Sequence, residues 1–110
     1  METISEWIKE INNEEIALIV EGKKDINALR KIGVNNPIHP LSKKPIYKIA
    51  EEFPQKKVII LTDFDKKGKE LYAKLSRELQ SWGIKVDYVF REWLQKNTKL
   101  SHIEGIDKLI

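Results

Sequence analysis

The sequence predicts an α/β domain: a parallel sheet of about four strands with helices on both faces. Short runs of β-branched and aliphatic residues, Ile16 to Val20 and Val58 to Leu61, end at charged or glycine-bearing turns, as buried parallel strands do. Segments of helical apolar spacing lie between such runs, and strands alternating with helices imply right-handed crossovers. Acidic residues follow both runs, as Glu21-Gly22 and as Asp63-Phe64-Asp65. Ligands of open α/β sheets bind beyond those strand ends.

Each element has its own signal. Residues 3 to 12 predict an amphipathic helix, because Thr3 and Glu6 have capping-box spacing and Ile4, Trp7, Ile8 and Ile11 share one face. The first strand leads through Glu21-Gly22 into a helix from Lys23 to Ile32, with Ile26, Leu29 and Ile32 inward and Gly33 placed to end it. An extended segment, Ile38 to Leu41, precedes Ile46, Ile49, Ala50 and Phe53, which repeat at helical spacing until Pro54. Val58 to Thr62 is the clearest strand. After the turn Asp63 to Lys67, Leu71, Leu75, Leu79 and Trp82 form a helical stripe ending at Gly83, and Ile84 to Phe90 alternates as a fourth strand. In the tail from Arg91, Ser101-His102-Ile103-Glu104 has capping-box spacing and predicts a last short helix that sets Ile103, Ile106 and Ile110 on the core.

The 110 residues fit one domain, with its core from about 16 to 90, an N-terminal helix at 3–12 and a tail at 91–110. With no cysteine, disulfides, thiolate catalysis and cysteine zinc sites are excluded, so a metal would be held by oxygen. His39 and His102 read as structural or surface residues, and Trp7, Trp82 and Trp93 as core or tail anchors. No apolar stretch approaches the roughly 20 residues of a membrane span, and Met1-Glu2-Thr3 lacks a basic signal-peptide start, so a cytoplasmic protein is expected. The net charge of +3 does not by itself argue for nucleic acid. The abundance of Lys, Glu and Ile suits a thermophile, although an AT-rich genome would produce much of the same bias.

Residues two apart in an extended segment point to the same side, so Asp63 and Asp65 can present two carboxylates together while Glu21 arrives from a neighbouring strand end. Two unit charges about 4 Å apart cost on the order of 4 kcal/mol at an effective dielectric near 20, so such a group takes up protons or holds a cation. Among oxygen-ligated ions Mg²⁺ is the natural candidate, with Mn²⁺ as a substitute, and it leaves positions for phosphate oxygens. The competing reading is a solvated turn at Asp63 to Gly68, with Glu21 capping or pairing with Lys23 or Lys24. A P-loop is excluded: the first glycine of that spacing would fall at Ala17, and no Ser or Thr follows Lys23.

Val20-Glu21-Gly22-Lys23-Lys24-Asp25 with Ala28-Leu29, followed by Leu61-Thr62-Asp63-Phe64-Asp65-Lys66-Lys67-Gly68, resembles the Toprim domain. Topoisomerases, bacterial primases, recombination mediators and small nucleases share that Rossmann-like fold. The likeness runs from about Ile16 to Phe90 and is nearest to free-standing Toprim proteins and the endonuclease that matures 5S ribosomal RNA. It implies Glu21 as general acid or base, Asp63 and Asp65 as Mg²⁺ ligands with Glu21 sharing the ion, and Gly22, Asp25 and Gly68 as supporting turn residues. Type IA topoisomerases tend to continue the aspartate motif with acidic residues where this chain has Lys67 and Lys69, which speaks against topoisomerase-like use. Asp63-Phe64-Asp65 also resembles the nucleophile motif of haloacid-dehalogenase-type phosphatases, but it lies past mid-chain, whereas there it normally opens a longer domain.

Lys66, Lys67 and Lys69 begin a predicted helix, where each positive charge opposes the macrodipole by about 0.3–1 kcal/mol. With Lys23 and Lys24 on the other turn, and Lys43, Lys44 and Lys48 around Pro45, they are candidate contacts to nucleic-acid phosphates. The expected activity is therefore Mg²⁺-dependent phosphodiester hydrolysis on nucleic acid, RNA more than DNA. The rival is a non-catalytic Toprim binding or adaptor module, and a protein partner or homodimer is compatible with both.

Overall fold

A computed structural model describes residues 1–42 and 44–110, so Lys43 lies outside the described residues. Four strands, β1 (Leu18–Val20), β2 (Ile38–Pro40), β3 (Lys57–Leu61) and β4 (Lys85–Asp87), form one all-parallel sheet in the order β2-β1-β3-β4. The helices are α1 (Ile4–Glu14), α2 (Lys23–Lys31), α3 (Ile46–Glu52), α4 (Lys66–Ser81) and α5 (Val89–Asn97), followed by a C-terminal 3₁₀ helix (Ile103–Leu109).

Side chains alternate across a strand, so each central strand supplies both faces. Leu18, Val20, Ile59 and Leu61 join Trp7 and Ile11 of α1, Ala28 and Leu29 of α2, Phe90 and Leu94 of α5, and Ile103 and Ile106 on one side. Ile19, Val58 and Ile60 meet Ile49 and Ala50 of α3 and Leu75 and Leu79 of α4 on the other. Crossovers of one hand that travel in opposite directions lie on opposite faces of a sheet. The chain obeys this: α2 links β1 outward to β2, whereas α3 and α4 carry it the other way. The direction reverses between β1 and β3, and the cleft at such a switch point is where open α/β sheets bind ligands.

The N-terminal helix is capped as its spacing predicts, with Thr3 Oγ1 accepting from the amide of Glu6 at 3.2 Å. Trp7 is fully buried and donates from Nε1 to the carbonyl of Phe90 at 3.0 Å, while Trp93 donates to the carbonyl of Met1 at 2.9 Å. Trp82 departs from its expected role: it follows α4 as the C-cap residue and is 53% exposed.

The fourth strand is also shorter than the alternation of Ile84 to Phe90 predicts. Asp87 Oδ1 accepts from the amide of Val89 at 2.9 Å, and this local bond turns the chain into α5 immediately after Asp87. Phe90 and Leu94 then stand one turn apart on the buried face of that helix. Ile103 and Ile106 pack as expected but Ile110 is 72% exposed, because the 3₁₀ helix ends at Leu109.

Truncating Leu79 to Ala, in the core beneath α4, should cost about 2–5 kcal/mol. Trp82→Ala, at the end of the same helix, should cost under about 1 kcal/mol. Urea denaturation of the two variants checks the contrast; equal losses would contradict the outward placement of Trp82.

Candidate functional site

Val20 of β1 stands opposite Leu61 of β3, so the chain leaves both strands at the same level. Glu21 comes next on one strand, and Thr62 and Asp63 on the other. The half-buried Glu21 carboxylate accepts from the amide of Asp63 through Oε2 at 2.8 Å, and this bond ties the two acidic turns together. Burial raises the Glu21 pKa above the ordinary value of 4.5; the Asp63 amide opposes that rise, the Asp63 and Asp65 carboxylates add to it, and Lys67 offsets part.

The turn Asp63 to Lys67 is held from three sides. Asp65 is the N-cap of α4, its Oδ1 accepting from the amide of Gly68 at 2.7 Å. Its negative charge compensates for a first helical turn that has no acidic residue. Gly68 packs so closely on the Asp63 backbone that a Cβ there would overlap the Asp63 carbonyl. The hydroxyl of buried Thr62 donates to the Gly68 carbonyl at 2.8 Å.

From α5, buried Arg91 donates Nε to the Thr62 carbonyl at 3.1 Å and Nη2 to the Asp63 carbonyl at 2.7 Å. Its guanidinium lies 4.7 Å from the ring centroids of both Phe64 and Tyr72. Burial pulls the Arg91 pKa down, while Tyr72, Asp63 and Glu21 push it back, so the group stays a cation.

The third support is the C-terminal segment. The Phe64 amide donates to the Ser101 carbonyl at 2.9 Å, and the Ile103 amide donates to Asp63 Oδ1 at 2.8 Å. Asp63, and not the Ser101 side chain that capping-box spacing predicts, therefore caps the last helix. The same docking sets His102 Nε2 3.3 Å from Asp65 Oδ2.

One donor atom each from Asp63, Asp65 and His102 lie within 4.8 Å of one another, a grouping that could hold a metal ion. Each aspartate gives Oδ1 to a backbone amide, which leaves Oδ2 for a cation. Two carboxylates beside an imidazole are a fitting donor set for a divalent ion. The Glu21 carboxylate meets the Asp63 turn through the Asp63 amide. The donor grouping that could hold an ion comprises Asp63, Asp65 and His102 and does not include Glu21, so its third donor is a nitrogen where oxygen alone was expected. No sequence signal marked His102 or Arg91, since their contacts to the turn span dozens of residues.

Among the supporting residues, Asp25 is buried and accepts from the Gly22 amide through Oδ2 at 3.0 Å. Its pKa is pushed up to about 6, chiefly by burial; the Gly22 amide opposes the rise and the charges of Asp63, Glu21 and Glu104 contribute to it. Gly22 itself is extended and has open space where a Cβ would stand.

Lys23, Lys24, Lys66, Lys67 and Lys69 are exposed around the two turns. Lys67 and Lys44 line a cavity of about 170 Å³ beside Glu21, together with Leu41, Ser42, Ile46 and Leu71. The Lys44 ammonium is already 2.8 Å from Glu52, whose pKa it lowers.

The Toprim domain family model matches residues 15–90. This chain belongs to the Toprim family. It is 38% identical over 112 residues to a UPF0292 protein of Methanocaldococcus jannaschii, across 96% of this chain and 88% of that relative. A UPF0292 protein of Pyrococcus abyssi is 45% identical over 94 residues, across 84% of this chain and 70% of its own. A solved structure of a protein from Aquifex aeolicus matches with a TM-score of 0.87 at 36% identity, covering 96% of this chain and 100% of that one. Toprim membership and the Asp63, Asp65 and His102 cluster together support a metal-dependent role connected with nucleic acid. Arg91 and His102 both lie past the matched stretch.

Gly68→Ala should unfold or strongly destabilise the protein, because backbone must move to admit the methyl group, whereas Gly22→Ala should leave thermal stability nearly unchanged. Circular dichroism melts compare them.

Asp25 makes a pH-dependent prediction. Its folded pKa lies above the ordinary 3.8, so ionisation opposes folding: its contribution is fully present below about 3.8 and is lost as pH rises through about 6. In chelator, Asp25→Asn should therefore gain stability relative to the native chain between those pH values, by on the order of 2–3 kcal/mol at neutral pH. Denaturation across pH measures the difference, and a constant one would contradict the raised pKa.

Proposed function

We propose that the protein is a divalent-metal-dependent enzyme that hydrolyses nucleic-acid phosphodiesters, an endoribonuclease-like Toprim protein acting on RNA in preference to DNA. The bond between the Asp63 amide and Glu21 at the switch point between β1 and β3, with the Asp63 and Asp65 carboxylates grouped on the same turn, supports this reading. Asp63 and Asp65 hold the ion, Mg²⁺ or Mn²⁺ in its place. The bound ion would supply charge stabilisation for phosphate oxygens. Glu21, with Oε2 fixed by the Asp63 amide, keeps Oε1 for proton transfer, and a pKa raised by burial suits it to that work. As a shared ligand, the other role that the family resemblance implies, it would use the same oxygen.

Arg91 and Gly68 keep the Asp63 to Asp65 turn from shifting, so the carboxylates need little reorganisation on binding. Lys23, Lys24, Lys66, Lys67 and Lys69 attract the phosphate backbone, and the cavity beside Glu21 places Lys67 next to the proton-transfer group. Kinship with the 5S ribosomal RNA maturation endonuclease would make structured RNA the natural substrate.

The test is cleavage of labelled structured RNA and matched DNA in Mg²⁺ and Mn²⁺. Asp63→Asn and Asp65→Asn should abolish cleavage while the protein stays folded, and Glu21→Gln should slow it by about 10²–10⁴. Full activity in both aspartate variants would sink the assignment. Metal and RNA binding without turnover under any condition would make the protein the adaptor instead.

A further inference from the structure

We propose that His102 is a third protein ligand of the ion held by Asp63 and Asp65, and that it tilts the site away from Mg²⁺ toward later first-row divalent ions such as Co²⁺. This inference rests on the reading of the two aspartates as metal ligands. It concerns a residue outside the stretch 15–90 that matches the Toprim family, so the segment after the domain completes the domain's own site.

The first support is spacing. Donors that share an edge of an octahedron with bonds of about 2.1 Å stand about 3.0 Å apart, and opposite donors about 4.2 Å apart. His102 Nε2 and Asp65 Oδ2 are separated by 3.3 Å, close to the edge distance. The three donors lie within 4.8 Å of one another, so even a pair at that limit needs to close by only about 0.6 Å to take opposite positions on one ion, or about 1.8 Å to share an edge.

The second support is the far side of the ring. Ser101 Oγ lies 3.0 Å from His102 Nδ1. With Nδ1–H donating to that hydroxyl, the lone pair is on Nε2 and faces Asp65, as a histidine ligand requires. The third is the backbone that delivers the ring: the Ser101 carbonyl and the Ile103 amide, on either side of His102, are both bonded to the Asp63-Phe64 turn. The imidazole is therefore held at the aspartates by two main-chain bonds.

Imidazole nitrogen suits Co²⁺, Ni²⁺ and Zn²⁺, whereas Mg²⁺ favours carboxylate and water, so an added nitrogen changes selectivity more than overall attraction. The competing use of the same contact is an ion pair between a protonated His102 and Asp65, which needs no metal.

Calorimetric titration of the full chain with Co²⁺ and with Mg²⁺ separates the two uses, together with proton NMR of the Co²⁺ form. The native chain should bind Co²⁺ more tightly than Mg²⁺ and show a paramagnetically shifted exchangeable ring proton. His102→Ala, an exposed position whose loss leaves the core intact, should lose about tenfold or more in Co²⁺ affinity, lose that proton, and change less than about threefold toward Mg²⁺. Unchanged Co²⁺ binding in His102→Ala, or equal losses for both ions, overturns the proposal. Asp63→Asn isolates the underlying reading: it should weaken both ions, and if it weakens neither, the aspartates are not the metal site. Loss in Asp63→Asn without loss in His102→Ala overturns only the role of the histidine.

Discussion

The pairing of β1 with β3, Val20 opposite Leu61, is the constraint on which the site depends. It makes two strand ends coincide where the crossovers of this parallel sheet change direction, and the next residues on each strand are Glu21 and the Thr62-Asp63 pair. A slip of one residue would send the side chains of either strand to the opposite face and separate the carboxylates. The flanking cores oppose such a slip, because Leu18, Val20, Ile59 and Leu61 are buried on one side while Ile19, Val58 and Ile60 are buried on the other.

That geometry concentrates negative charge. Glu21, Asp25, Asp63 and Asp65 gather around two turns, and the raised pKa values of Glu21 and Asp25 record both their burial and their mutual repulsion. Arg91 answers from beneath, yet it binds main-chain carbonyls and aromatic faces and, among the described residues, makes no carboxylate ion pair. It stiffens the turn and leaves the outer oxygens of the aspartates to a cation. The lysines remain outside, exposed, where they can meet a polyanion without neutralising the acidic centre.

The strands and α2, α3 and α4 were readable because apolar periodicity and turn residues are local signals. Asp63 and Asp65 were readable because they directly follow the clearest strand, and Glu21 because it follows the other central one. The turn reading of Asp65 proves partly correct too, since one of its oxygens caps α4 while the other faces His102. The fourth strand was overextended because Val86, Tyr88 and Phe90 continue the alternation of a strand, whereas the Asp87 side chain turns the backbone into a helix. Trp82 was misplaced because the helical spacing of its stripe continues to a residue that lies one position past the end of the helix at Ser81.

Local pattern by itself determined the α/β class, the strand ends and the two acidic turns, because hydrophobic period and turn chemistry act over a few residues. Only the tertiary structure decided which groups surround those turns. Arg91 reaches back 28 residues to Asp63, and the Ile103 amide reaches back 40 to the same aspartate, which brings His102 to Asp65. Such contacts depend on where α5 and the last helix pack on the sheet, and packing of that range leaves no periodic trace in the chain.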